Sequence, residues 1–211
     1  KGQTQYDASF SAGQASVGPW AAKYPGTLGN SLKVEICAPG HYATYANAAL
    51  FDSAPGTSEY AESQGVNGAL DELHIAVIDE DGLWTGTAGS VLETFAFVSQ
   101  AVDAKQNNGE SNFYKDVVNA RSKYVWWMDH DTVLTDAGTN LSTAANNFVF
   151  TGSTSVITDS LSLGVDDDTL TASAIQTGFD LLEDGETIDV NMLICPPLDP
   201  SMANASSPCI A

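Results

Sequence analysis

Apolar residues recur with a period of two most clearly in SLKVEIC (31–37), where Leu32, Val34 and Ile36 alternate with Ser31, Lys33 and Glu35. Successive side chains of an extended chain point to opposite faces, so this spacing predicts a half-buried strand. ELHIAVID (72–79) reads as a second strand, and the turn residues EDG (80–82) predict a hairpin into LWTG. In SVLETFAFVS (90–99), Val91, Glu93, Phe95 and Phe97 alternate with Leu92, Thr94, Ala96 and Val98, and the β-branched and aromatic content favours strand over helix. Phe113, Val117 and Arg121 recur at a spacing of four, which predicts a short helix over 111–122 with Ser111 or Asn112 as its N-cap. KYVWWM (123–128) follows as a strand, and NFVF (147–150) as one short strand among the loops of 132–155.

The last quarter has a different rhythm. In GVDDDTLTASAIQTGFDLLEDGETIDVNMLICPP (164–197), Asp166, Asp167 and Asp168 are placed to cap a helix whose Ile175, Phe179 and Leu182 share a face. Gly185 closes that helix, and TIDVNMLIC (187–195) enters a strand apolar enough to be buried on both sides. Residues 1–18, rich in Gly, Ser and Gln, read as an incoming arm or linker, and 38–67 as a long loop with contacts of its own. The fold class predicted is mixed α and β: a β-rich, sandwich-like domain over 19–155, then the beginning of an α/β layer over 156–211.

Composition narrows the function. The 211 residues are 43% hydrophobic, enough for a core, and 27 acidic against 7 basic residues give a net charge of -20. Such a surface repels nucleic acid and anionic membrane, so neither is expected as a partner. Cys37, Cys195 and Cys209 are far apart with no CxxC spacing, which supports neither a disulfide scaffold nor a zinc site. No stretch resembles a signal peptide, and a reducing compartment is the expectation.

The most chemical-looking phrase is Asp129-His130-Asp131, directly after Trp126 and Trp127. In extended chain only Asp129 and Asp131 share a face, and two carboxylates suit Mg or Ca better than Zn. His41 and His74 stand in no ligand frame, so the preferred reading is a buried strand running out into a solvated end. Asp166 to Asp168 lack the alternate-ligand, Gly and Glu frame of an EF-hand, Ser90 and Ser99 lack a GxSxG elbow, and TGTAGS (85–90) lacks a phosphate-loop ending. No catalytic, cofactor-binding or metal-binding residue is assigned. The alternatives are a divalent-metal-dependent enzyme or calcium-binding surface protein using these Asp groups, and a carbohydrate-binding β-sandwich with an exposed Trp126 or Trp127.

Four phrases carry a resemblance. WAAKYPGTLGNSLKVEIC (20–37), DELHIAVIDEDGLWTGTAGSVLETFAFVSQAVDAK (71–105), NFYKDVVNARSKYVWW (112–127) and SLSLGVDDDTLTASAIQTGFDLLEDGETIDVNMLI (160–194) are similar, in this order, to segments of the contractile tail sheath proteins of large contractile-tailed phages. The resemblance implies that Tyr24, Pro25, Gly26, Gly29, Asn30, Gly164, Asp166, Gly178, Phe179 and Asp180 are structural motif residues. It also implies that 19–155 is the sheath middle domain and 156–211 the incomplete start of the sheath core domain. Family members are not enzymes and need no cofactor. They are virion proteins, assembled in the host bacterial cytoplasm, that stack as hexameric rings around an inner tail tube. Their expected partners are copies of themselves, the tube, and baseplate and tail terminator proteins, and strands are swapped between neighbours. Contraction drives the tube into the host envelope. Sheath proteins are longer than this chain, so a fragment is expected.

Overall fold

In the computed structural model, which describes residues 3–14, 16–141, 148–151, 153, 155–166 and 172–180, the alternating segments pair antiparallel. The chain divides into two units, 1–165 and 166–211. The first carries strands β1 (Trp20–Ala22), β2 (Leu32–Cys37), β3 (Glu72–Asp79), β4 (Ser90–Ser99), β5 (Val125–Trp127) and β6 (Ile157–Ser160), with helices α1 (Gln3–Ser9), α2 (Glu59–Ser63) and α3 (Tyr114–Arg121). Helix α4 (Ala172–Asp180) is the described element of the second. The fold is mixed α and β and β-rich, with antiparallel sheets.

Strand order in the main sheet is β4-β3-β2-β6, and β1 pairs with β5 in a separate ribbon. The apolar set of the period-two pattern, Val34 on β2 with Leu73, Ile75 and Val77 on β3, lies on one face and meets Val117 and Val118 of α3 and Trp20, Val125 and Trp127 of the ribbon. Each such side chain taken fully from water contributes about 1.5–3 kcal/mol, so this layer holds the unit together. Cys37 and His74 point to the opposite face, where residues 38–56 fold back with Tyr45 and Phe51 buried against Cys37. This covering changes one expectation: β2 is not half-buried, because only Lys33 of its six residues stays partly exposed.

Other expectations also shift. The partner of β3 is β4, in register from Asp79↔Ser90 to Glu72↔Ser99, and LWTG lies in the connecting loop instead of forming the second hairpin strand. The segment 148–150 is irregular; the Phe150 amide donates to the Ala69 carbonyl at 2.8 Å and its ring packs against Phe148. Helix α3 begins one turn residue later than its expected caps, with Phe113 at the N-cap position, while Ser111 Oγ donates to Asp116 at 2.7 Å. Strand β6 pairs with β2, as the edge strand of the main sheet in the first unit. Within 1–18, α1 is fastened down: the Tyr6 hydroxyl donates to the Trp127 carbonyl, and its ring stacks on Trp126 at 4.4 Å. Asp167, Asp168, Leu182, Gly185 and the predicted strand 187–195 lie outside the described residues, as do the side chains of Ile175 and Phe179.

Candidate functional site

Six of the ten motif residues come together. Tyr24, Pro25, Gly26, Gly29, Asn30 and Gly164 line one cleft of about 710 Å³, whose walls are 16–30 on one side and 158–164 on the other. The wall at 20–22 is β1, paired only with β5; the wall at 158–160 is β6, paired only with β2. The cleft thus runs between two strands that each have one partner among the described residues, and an unpaired strand edge is a template for another strand.

Its floor is stitched by an amide that imitates backbone. Asn30 Nδ2 donates to the Gly164 carbonyl at 2.9 Å, and the Gly164 amide donates back to Asn30 Oδ1 at 2.7 Å. A Cβ on Gly164 would lie 2.2 Å from the Gly26 carbonyl oxygen and 2.7 Å from Asn30 Oδ1, so the position accepts only glycine. Gly26 has φ 100°, which glycine adopts without strain, and starts the 3-10 turn Thr27–Ser31 that delivers the chain into β2. Gly29 is fixed by space instead: its Cβ would stand 2.7 Å from that of Ala22. Tyr24 is half-exposed and rests edge-on against Trp84 at 5.3 Å.

Two polar groups in this cleft are left incomplete. The Trp20 indole lies beside the Asp159 carboxylate, yet Trp20 Nε1 and Asp159 Oδ2, both buried, have no partner in hydrogen-bond geometry among the described residues. Burial, with a contribution from the Asp131 charge, pushes the Asp159 carboxyl up to about 6. The lip is apolar and exposed at Leu163, 92% of whose surface is open. Leu163 also has φ 66°, a left-handed conformation unfavourable for a branched side chain.

The remaining motif residues belong to the second unit. Asp166 is exposed, and Gly178 and Asp180 are exposed in α4; the Phe179 side chain is outside the described residues. Pattern reading missed Trp20 as a strand residue and Asp159 and Leu163 altogether. A usable signal was present in VITDSLSL, where Ile157, Asp159, Leu161 and Leu163 alternate, but its flanking serines read as loop.

The Asp129-His130-Asp131 phrase is less solvated than expected. All three residues are partly buried, and His130 Nδ1 lies 2.5 Å from the Tyr114 hydroxyl with its ring 4.9 Å from that of Trp127. Burial lowers the His130 pKa, the Asp129 charge opposing this. Trp126 and Trp127 are buried at 6% and 3% exposure, so the exposed indole required of a sugar platform is missing. Among the described residues, no three His, Cys, Asp or Glu side chains converge as a metal would require.

No family model matches the chain. It is 30% identical over 97 residues, 43% of its length, to the tail sheath protein of Salmonella phage ViI, and spans 13% of that protein.

Proposed function

We propose that the chain is part of a contractile tail sheath subunit, a building block of a phage tail. The observation that carries the reading is the 30% identity over 97 residues to a protein described as a tail sheath protein. In this reading copies assemble as stacked hexameric rings around an inner tube, and contraction exchanges one set of subunit contacts for another while the domains stay largely rigid, so that the tube is driven through the host envelope.

The cleft suits such a role. Two edges left unpaired among the described residues, a glycine floor and an apolar lip are what a neighbour's extended segment needs, since main-chain pairing supplies affinity and side-chain pockets supply register. Tyr24, Pro25, Gly26, Gly29, Asn30 and Gly164 are then structural residues that shape this wall, and Asp166, Gly178, Phe179 and Asp180 act likewise in the second unit. Inner tube, baseplate and tail terminator are the further partners this reading names.

Immunogold electron microscopy of virions carrying this polypeptide tests it. Gold along a helical sheath is expected. Gold confined to the capsid, or to particles lacking any sheath, overturns the reading.

A further inference from the structure

The sheet face opposite α3 is closed by residues 38–56, and one side chain sits at the closure. His74 is fully buried. Its Nε2 lies 2.8 Å from the Ser53 carbonyl, and the Phe97 amide donates to Nδ1 at 3.2 Å. Only the neutral ring with its proton on Nε2 satisfies both contacts. The Phe51 ring stacks on the imidazole at 4.2 Å with an interplanar angle of 1°, and Phe97 meets it edge-on at 4.6 Å.

The place of this histidine in the sheet matters. Leu73 pairs with Val98 and Ile75 with Phe95, so Ala96 and Phe97 together oppose His74 alone. That is a β-bulge, and Phe97 adopts φ 53° within it. The imidazole accepts the Phe97 amide that the bulge removes from the ladder, while its other nitrogen holds the 38–56 segment through Ser53.

The titratable groups around it come from the sheet and from the segment. Across β2 stands Cys37, whose thiol burial pushes up to about 11. The same face of β2 also carries Glu35, which accepts from Asn47 Nδ2 of the segment at 2.8 Å and pairs with Lys33 at 3.2 Å. The segment itself brings His41, whose Nε2 lies 2.5 Å from the Ser153 carbonyl, Tyr42, whose hydroxyl bonds the Ala48 and Phe51 carbonyls, Tyr45, whose hydroxyl burial also pushes up, and Asp52 beside Phe51. On the same strand Glu72 accepts the Gly56 amide at 2.9 Å, and β4 carries no titratable side chain at 95–98. Burial is the main influence on His74 and lowers its pKa, with backbone groups of Ser53 and Leu73 acting the other way.

We propose that His74 is an acid-operated latch: a second ring proton sets an N–H against the Phe97 amide and a charge between the Phe51 and Phe97 rings, so the imidazole leaves its site, gives up the Ser53 contact with it and releases residues 38–56 while the α3 side of the sheet stays closed. The sign follows from the depressed value. The latch contributes fully above the ordinary histidine value of 6.5 and is lost as pH falls through the lower value of the folded state. His130, whose pKa burial also lowers, has Phe113, Tyr114 and Trp127 as ring neighbours and shares none of them with His74.

Hydrogen exchange of the 211-residue chain, read as protection factors between about pH 7.5 and about pH 5, tests the latch. The Phe97, Ala48 and Phe51 amides lose about tenfold in protection for each unit by which the folded pKa is depressed, while Val34 and Val77 keep theirs. His74→Gln retains a donor and an acceptor but cannot titrate, so its 38–56 amides show no such fall. An equal fall in His74→Gln, a flat wild-type profile, or a joint loss at Val34 and Val77 overturns the proposal. Should His74→Gln not fold, the ring-proton titration of the wild type decides: a His74 midpoint well under 6.5, in step with Phe97 exchange, supports it, and an unshifted midpoint overturns it.

Discussion

Two carboxylates, Asp79 at the end of β3 and Asp159 in β6, show how differently this molecule treats buried charge. Asp79 is fully buried, and every lone pair has a donor: Ser31 Oγ at 2.6 Å and the Gly82 amide at 3.0 Å on Oδ1, and the Trp84 amide, the Thr85 amide and Thr85 Oγ1 at 2.8–3.0 Å on Oδ2. Burial alone would raise its pKa, but these donors bring it below the ordinary carboxylate value. Asp159 is only partly buried, yet among the described residues Oδ2 has no donor in hydrogen-bond geometry, the Trp20 indole opposes the shift only weakly, and burial pushes its carboxyl up to about 6. Burial raises both carboxyls; at Asp79 the donors outweigh it, and at Asp159 burial wins. The 80–89 loop is thereby a finished piece of structure, and the cleft beside Asp159 is one with an opening left in it.

The largest effect is expected where the network is complete. Asp79→Ala strands three backbone amides and the Ser31 hydroxyl, while the Thr85 hydroxyl keeps the Thr87 carbonyl at 3.0 Å, and should lower unfolding stability by about 3 kcal/mol, read as a shift in urea midpoint at constant slope. Because the folded carboxyl is depressed, its contribution is present above the ordinary value of 3.8 and disappears as pH falls through the lower folded value, where wild type and variant should converge. An Asp79→Ala chain as stable as wild type would show that the loop is held by Gly82 and the Trp84 packing instead.

The finished region was far easier to read from sequence than the open one. β3 and β4 match the segments predicted residue for residue, because apolar alternation over eight or more positions is a strong local signal. Their pairing was misread since EDG looks like a tight turn, whereas the turn actually closes around the Asp79 side chain and reaches Ser90. β1 and β6 are three and four residues long, exist through pairing with sequence-distant partners, and leave too short a trace for a periodicity argument. Of the cleft, the Tyr-Pro-Gly and Gly-Asn phrases at 24–30 were legible as a turn; that Asn30 reaches across to Gly164, 134 positions away, was not. Resemblance grouped those residues, and tertiary geometry supplies the reason.

A smaller change of opposite sign tests the other half of the comparison. With the folded carboxyl raised from 3.8 to about 6, Asp159 stabilises most when protonated, and stability falls as pH rises across that window. Asp159→Asn cannot ionise and should therefore be more stable than wild type at neutral pH, by about 1 kcal/mol once solvent screening of this half-buried group is allowed for. Near pH 4 the gain should vanish. Thermal unfolding at the two pH values measures it, and a loss of stability at neutral pH would mean that Asp159 has a donor in solution.

The smallest expected effect separates a merely unfinished surface from one kept open for a neighbour. Leu163 is held at φ 66° with 92% of its surface exposed, so in the isolated chain it combines backbone strain with no packing return. Leu163→Gly removes the strain, at the expense of a more flexible unfolded chain, and should leave stability unchanged or higher by about 0.5 kcal/mol. If an adjoining copy covers the cleft lip, the same substitution removes a leucine that becomes buried only on assembly, and association should weaken by about 1.5 kcal/mol or more, roughly a tenfold change measurable by sedimentation. The two readouts then move in opposite directions. Equal behaviour of wild type and variant in assembly would leave the cleft as a local irregularity and remove it from the assembly reading, because a lip that any neighbour grips cannot be indifferent to losing its most exposed apolar side chain.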